Sequence, residues 1–183
     1  KQVENYQADV LIKVDVKIIN IKDRRATVYY ERPDKFEFKS KGFALLPKKG
    51  MEMEYLQMIE EGYTPIYVGK DTVRGYITDA VKIVPDNEGG GVILAKLWIN
   101  TSNNLIYKLE TFTKKNGSYK VHFFYDNHPF DLPDKIIVEF DVKDQKLPVS
   151  FTGDFESLGE KLKEGDTKGT VTIKYFDYKV NMK

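Results

Sequence analysis

The residue types that most often carry chemistry are scarce in this chain and poorly spaced for it. It has no cysteine, which removes disulfides and thiolate metal sites, and its two histidines are His122 and His128. Two imidazoles cannot by themselves build a histidine-rich metal site. His122 lies in the strand-like run SYKVHFFY with no serine or carboxylate at a catalytic spacing, and His128 precedes Pro129 in a turn. Glu60 and Glu61 are adjacent on a helical surface, where they read as solvated charges and not as the carboxylate pair of a glycosidase. Gly89, Gly90 and Gly91 are contiguous and run into the strand GVILAKLWIN, whereas a phosphate loop needs wider spacing and a following helix. The triplet is therefore a hairpin loop. What remains is an aromatic and apolar inventory, suited to holding a ligand without transforming it.

Charge narrows the partners. Lysine and arginine number 29 against 28 acidic residues, interspersed along the 183-residue chain. A nucleic-acid face would need clustered cations, so neither duplex readout nor stacking on single strands is expected. No run approaches the roughly 20 apolar residues of a membrane-spanning helix. The chain begins at Lys1, which is read as the mark of a leader already removed.

The organising stretch is 91–125: GVILAKLWIN, TSNN, LIYKLETF, TKKNG, SYKVHFFY. Its strands are rich in β-branched and aromatic residues, Asn116-Gly117 supplies the positive φ of a tight hairpin, and Thr101 to Asn104 are residues that hydrogen-bond their own backbone in turns. This is an antiparallel meander. Ahead of it, Ala8, Val10, Ile12, Val14, Val16 and Ile18 alternate with Asp9, Lys13, Asp15 and Lys17, giving a long first strand that must curve or bulge. After a turn at Lys22 to Arg24, 25–31 returns as a second strand that Arg32-Pro33-Asp34 ends, and 35–39 is a third with Phe36 and Phe38 on one face. Strands at 66–68 and 73–84 are expected to flank a turn at Gly69 to Asp71. Later strands are expected at 135–143 and 169–180, the last with a phase slip between Tyr175 and Phe176 that predicts a bulge.

Two helices are expected. Met51 to Glu61 places Met51, Tyr55, Met58 and Ile59 on one side, and Asp154 caps a shorter helix over 155–164 with Phe155, Leu158 and Leu162 on a face. Methionines suit a surface that adapts to varied apolar ligands, and equally serve as filler in an irregular core. The N-terminal KQVEN reads as the end of a further helix.

The pieces TVYYERPDKFEF, YVGKDTVRGYITDAVKIVP and AKLWINTSNNLIYKLETF resemble the periplasmic lipoprotein carriers of the LolA family and their relatives LolB and RseB. The resemblance covers most of the chain. It departs at 42–63, GFALLPKKGMEMEYLQMIEEGY, where the carriers have an aspartate-glycine turn and an aromatic strand. What it implies is a mainly β fold: a half-open antiparallel barrel made of a single strongly curved sheet, with helices on its concave face, over 1–183 as one domain. It also implies a periplasmic, non-enzymatic carrier of acyl chains that works without cofactor as a monomer, with a lipid anchor on the carrier itself left open. Its cargo would be an acylated lipoprotein or a lipid, exchanged with an inner-membrane transporter or an outer-membrane receptor.

In such carriers the arginine before the proline lies in the cavity mouth and bonds the lid, which implies a latch at Arg32. Phe36, Phe38, Phe43 and Trp98 are the candidate wall, and Met51, Tyr55 and Met58 the candidate cover. The plainer alternatives are an exposed Arg32 and a Trp98 in the core. An envelope sensor resembling RseB is the other binding reading; it would carry a second partner-binding domain. A small hydrolase on a β-scaffold would need a nucleophile and base within reach of each other, which these residues do not offer.

Overall fold

Alternation with a period of two decides most of the structure. The computed structural model describes residues 3–16, 19–20, 22–32, 35–39, 62–87, 92–114, 117–125, 129–141 and 168–181. In chain order the strands are β1 (Asn5–Val16), β2 (Ile19–Asn20), β3 (Arg24–Glu31), β4 (Lys35–Lys39), β5 (Tyr63–Val73), β6 (Tyr76–Pro85), β7 (Val92–Asn100), β8 (Ile106–Thr113), β9 (Ser118–Phe124), β10 (Lys135–Asp141) and β11 (Lys168–Val180). They join one antiparallel sheet in the order 4-3-1-11-10-9-8-7-6-5, with β2 paired to β1 off this path. That is a meander in which the first long strand lies beside the last, and the break falls between β4 and β5.

The expected architecture is corrected on one point. The described residues form strands alone in an open sheet, so the fold is all-β there, and the half-open barrel with helices on a concave face does not describe it. The physical reason is visible in the sequence, since alternation dominates strands such as β1 and β8 and the contiguous apolar runs, such as Val92 to Ala95, are short and rich in β-branched residues. The stretches expected as helices, 51–61 and 155–164, lie outside the described residues.

The strands fall into two compact units. One comprises Lys1–Leu46, Phe124–Ile137 and Pro148–Lys183. Its frame is the ladder of β1 with β11 on one side, Tyr6↔Val180 to Val16↔Gly169, and with β3 on the other, Asn5↔Glu31 to Ile12↔Arg24. Residues opposite each other in an antiparallel pair share a face. Ala8, Val10 and Val28 are at most 2% exposed, and burying side chains of this kind contributes about 1.5 to 3 kcal/mol each for the valines. Asp9, Lys13 and Asp15 point the other way.

The predicted phase slip in the last strand is a bulge. The β1–β11 register shifts between Gln7 and Asp9, and Asp177 opposite this step has φ 54°. The extra residue brings Tyr175 and Tyr178, three apart, onto one face, where their rings stack with centroids 5.8 Å apart. Tyr178 also meets Tyr6 edge-on at 5.6 Å, and its hydroxyl donates to Pro133 O at 2.7 Å. Burial pushes that hydroxyl far above the ordinary tyrosine range.

The second unit comprises Pro47–Phe123 and Val138–Leu147. Its turns behave as the sequence reading expects at 101–104: Asn100 Oδ1 accepts from Ser102 N, Asn103 Oδ1 accepts from Leu105 N, and Asn104 has φ 60°. Gly117 has φ 64°, and its carbonyl accepts from Thr113 N and Oγ1. The turn expected at Gly69 to Asp71 is not there. β5 runs through it, Gly69 at φ 135° forms a bulge against β6, and the chain reverses at Arg74-Gly75 with φ 50° and 84°, a two-residue type I′ hairpin.

The bulge supplies a stability test. Replacing Asp177 by Val should destabilise the protein by about 1 to 2 kcal/mol, because a β-branched side chain resists the left-handed region. Asp177→Gly should stay within about 0.5 kcal/mol of wild type, relief of strain being offset by a freer unfolded chain. Urea unfolding at neutral pH distinguishes the two; equal losses would show that the bulge geometry is not limiting.

Candidate functional site

Each unit presents one apolar face and one charged face, and the register says which candidate residues lie on which. In the first unit Phe36 pairs with Tyr30 and Phe38 with Val28, while Tyr30 and Val28 pair with Tyr6 and Ala8 of β1. Phe36 and Phe38 therefore extend the apolar face outward onto β4. The Tyr6 and Tyr30 rings stack at 5.3 Å within it. Arg32 stands at the end of β3. Its amide donates to Glu4 O at 2.9 Å, and its guanidinium lies 3.5 Å from Glu4 Oε1, with the two side chains 44% and 60% exposed. An ion pair so open to water contributes little to stability.

The other face of this unit is a row of alternating charges. Lys35 bonds Glu31 at 2.9 Å, Lys39 lies 3.5 Å from Glu37, and the Lys39 ammonium sits 4.5 Å above the Tyr29 ring. A groove of about 280 Å³ opens here, lined by Asn5, Tyr29, Glu31, Lys35 and Glu37 together with Tyr6 and Tyr30. Phe43, Met51, Tyr55 and Met58 lie outside the described residues.

In the second unit the ladders β6–β7, β7–β8 and β8–β9 set up parallel rows. Val81, Leu97, Leu109 and Val121 form one, and Ile83, Ala95, Thr111 and Tyr119 the next on the same face. Trp98 is not on that face. It pairs with Ala80 and Lys108, Lys108 pairs with His122, and the neighbouring row is Lys82, Lys96, Glu110 and Lys120. The indole is 4% exposed, and the ammonium groups of Lys96 and Lys108 stand 4.3 and 4.1 Å from its ring. Lysine stems can cover an aromatic ring while their charges stay wet. Lys108 bonds Glu110 at 2.8 Å, and Lys120 lies 3.7 Å from the same carboxylate.

His122 is half-buried, with Nε2 3.5 Å from Glu139 Oε1. Burial lowers its pKa against the opposing pull of Glu139. Among the described residues no group of three or more His, Asp or Glu is placed to hold a metal ion.

The residue that the sequence reading missed is Arg74. Its Nη2 donates to Phe123 O at 2.6 Å, both terminal nitrogens lie 3.5 Å from Tyr107 O, and the guanidinium stands 5.5 Å from the Tyr107 ring centroid. Tyr76 meets the same ring edge-on at 5.0 Å. A guanidinium on two carbonyls is the chemistry expected at Arg32, found on another element. The signal available was the pair Arg74-Gly75, but arginine is not among the residues that announce a type I′ turn.

Similar folds occur among solved structures. A LolA superfamily protein from Nitrosomonas europaea superposes with a TM-score of 0.64 at 13% identity, covering 100% of this chain and 89% of that one. The chain folds like this LolA superfamily protein. A domain from Vibrio parahaemolyticus, provisionally described as an outer membrane lipoprotein-sorting protein, matches at 0.64 and 10% identity over 97% of this chain and 86% of its own. A DUF1329 family protein from Desulfovibrio piger matches at 0.63 and 10% identity, covering 100% and 88%. No family model matches the sequence, and no curated protein matches it either. The likeness to this superfamily is one of fold.

The buried indole gives a direct readout of its own surroundings. Trp98 Nε1 donates to Asp71 Oδ2 at 2.8 Å, and this bond, followed by that from Thr72 N, holds the Asp71 carboxyl below its ordinary 3.8. A carboxylate whose folded pKa is depressed stabilises the fold above its unfolded pKa and loses that contribution as pH falls through the folded value. Trp98 is the sole tryptophan. Its emission should therefore change in acid with a midpoint below 3.8, and Asp71→Asn should abolish that step while far-UV dichroism stays constant. A midpoint at or above 3.8, or a step that survives in the variant, would disconnect the indole from Asp71.

Proposed function

We propose that this chain is a periplasmic carrier of acyl chains, one domain over 1–183, which binds an acylated lipoprotein or lipid without chemistry and without a cofactor. The observation that carries this reading is the division of faces. Apolar rows run across β1, β3 and β4 in one unit and across β6 to β9 in the other. The superfamily fold supports it, since one of the similar structures is described as lipoprotein-sorting. An acyl chain suits such rows because each methylene removed from water contributes about 0.8 kcal/mol without any directional demand. Loading at the inner membrane and delivery at the outer membrane would follow from that cargo.

Phe36 and Phe38 are the described residues that this reading places nearest the ligand, and Arg32 is proposed to latch the site. Native mass spectrometry of the purified protein should show co-purified lipid, and a fluorescent fatty-acyl probe should bind saturably. Phe38→Glu should weaken the probe at least about tenfold, the equivalent of one lost side-chain burial, with the far-UV spectrum unchanged. Binding no tighter than to an unrelated β-protein would end the carrier reading.

Arg32→Leu has its own arm of the test. The Glu4 pair is exposed, so the variant should fold with wild-type stability while releasing the probe more slowly, with Lys35→Leu as the control for lost charge. Equal off-rates in all three proteins would remove Arg32 from the site.

A further inference from the structure

The hairpin tip between β5 and β6 is built in a way that a turn alone does not require. Position 74 has φ 50° and is followed by Gly75 at φ 84°, a pair of conformations that asparagine or glycine adopts with least strain at the first place. The chain has arginine there instead. The β6–β7 register ends at Thr78↔Asn100, so Arg74 to Ile77 project beyond the ladder that anchors the hairpin. Likewise the β8–β9 register ends at Lys108↔His122, and Tyr107 O and Phe123 O are the carbonyls just past it. Arg74 spans these two ends.

The consequence is a covered ring. Tyr107 is 7% exposed although it belongs to the last turn of the ladder, whereas Tyr76 and Ile77 of the tip are 52% and 60% exposed. Its cover is the Arg74 guanidinium and the Tyr76 edge, and its hydroxyl is met by Asn103 Nδ2 at 3.4 Å. Tyr107 falls at the irregularity between the pairs Trp98↔Lys108 and Ile99↔Ile106, so it has no partner of its own on β7. Elsewhere the tip is held to its surroundings by Thr101, whose amide and hydroxyl donate to Ile77 O at 3.2 and 3.3 Å.

We propose that the Arg74 tip is a clasp over Tyr107, and that its release uncovers this aromatic end of the sheet for an incoming acyl chain. The second half rests on the carrier reading; the first does not. Arginine suits the task because one planar fork can donate to two carbonyls and stack on a ring at once, and because it stays charged at every relevant pH. Substitution of Arg74 by Asn separates clasp from turn. Asparagine-glycine is the preferred type I′ pair, so the hairpin keeps or gains its own stability while the bonds to Tyr107 and Phe123 are lost.

Hydroxyl-radical footprinting with peptide mass spectrometry should show oxidation of Tyr107 rising at least threefold in Arg74→Asn, with Tyr119, equally buried, unchanged. Arg74→Lys should fall between, since a single ammonium cannot replace the fork. The fatty-acyl probe should bind and leave Arg74→Asn at least fivefold faster than wild type, with little change in affinity. Wild-type oxidation of Tyr107 in Arg74→Asn overturns the clasp, and an uncovered Tyr107 with unchanged probe kinetics overturns its control of access. If wild type binds no probe, the carrier reading fails and the footprint alone decides whether the tip is held by Arg74.

Discussion

The structure of the first unit depends on the pairing of the two ends of the chain. β1 has β3 on one side and β11 on the other, and only the β11 ladder closes the gap between the N-terminal strands and the C-terminal one. That pairing is antiparallel and long, from Tyr6↔Val180 to Val16↔Gly169. Its partners lie far apart in the sequence. Its loop-closure entropy must be met before any of its burial is gained, which makes docking of β11 a late step in folding. The fully buried Ala8 and Val10 lie toward its Tyr6↔Val180 end, and Ile12, Val14 and Val16 carry the burial to the other.

Much of this was legible because alternation and turn chemistry are local. Val10 to Val16, 35–39 and the residues of 101–104 carry their structure in their own spacing, and the phase slip near Tyr175 announced the bulge at Asp177. The misreading at 69–71 has an equally physical origin. Gly69, Lys70 and Asp71 have the composition of a turn, yet the glycine serves a bulge at φ 135° within β5, and the reversal is made by Arg74-Gly75. Composition cannot tell a glycine that turns the chain from one that kinks a strand. Trp98 illustrates a second limit. Periodicity assigns it a face relative to its neighbours, but whether that face is apolar depends on which residues the adjoining strands bring to it, and those turn out to be Lys96, Lys108 and Glu110.

The charged faces matter as much as the apolar ones. A one-residue slip in any of these strands would send its whole apolar set to the opposite side, and the rows Lys82, Lys96, Glu110, Lys120 and Lys35, Glu37, Lys39 make that slip costly, because they would bury ammonium groups and carboxylates without partners. Their individual ion pairs contribute little where they are exposed. Their collective effect is on register. This keeps one face of each unit apolar and the other charged.

Sheet edges pose the opposite hazard, since an open edge invites another chain. Among the described residues the outer strands are β4 and β5, and each is blunted differently. β4 is short and reads Lys-Phe-Glu-Phe-Lys, a palindrome of charge. Antiparallel self-pairing about Glu37 would set Lys35 against Lys39 and Glu37 against Glu37, and like charges directly opposite one another destabilise a pair. β5 is long and exposes Tyr63, Ile66, Tyr67 and Val68, which would make it the more dangerous edge. It carries Pro65, which lacks the N–H that a continuous ladder needs, and the Gly69 bulge, which breaks the spacing of whatever remains. Both edges therefore resist a second copy of the chain through backbone pairing, while the apolar side chains of β5 stay exposed.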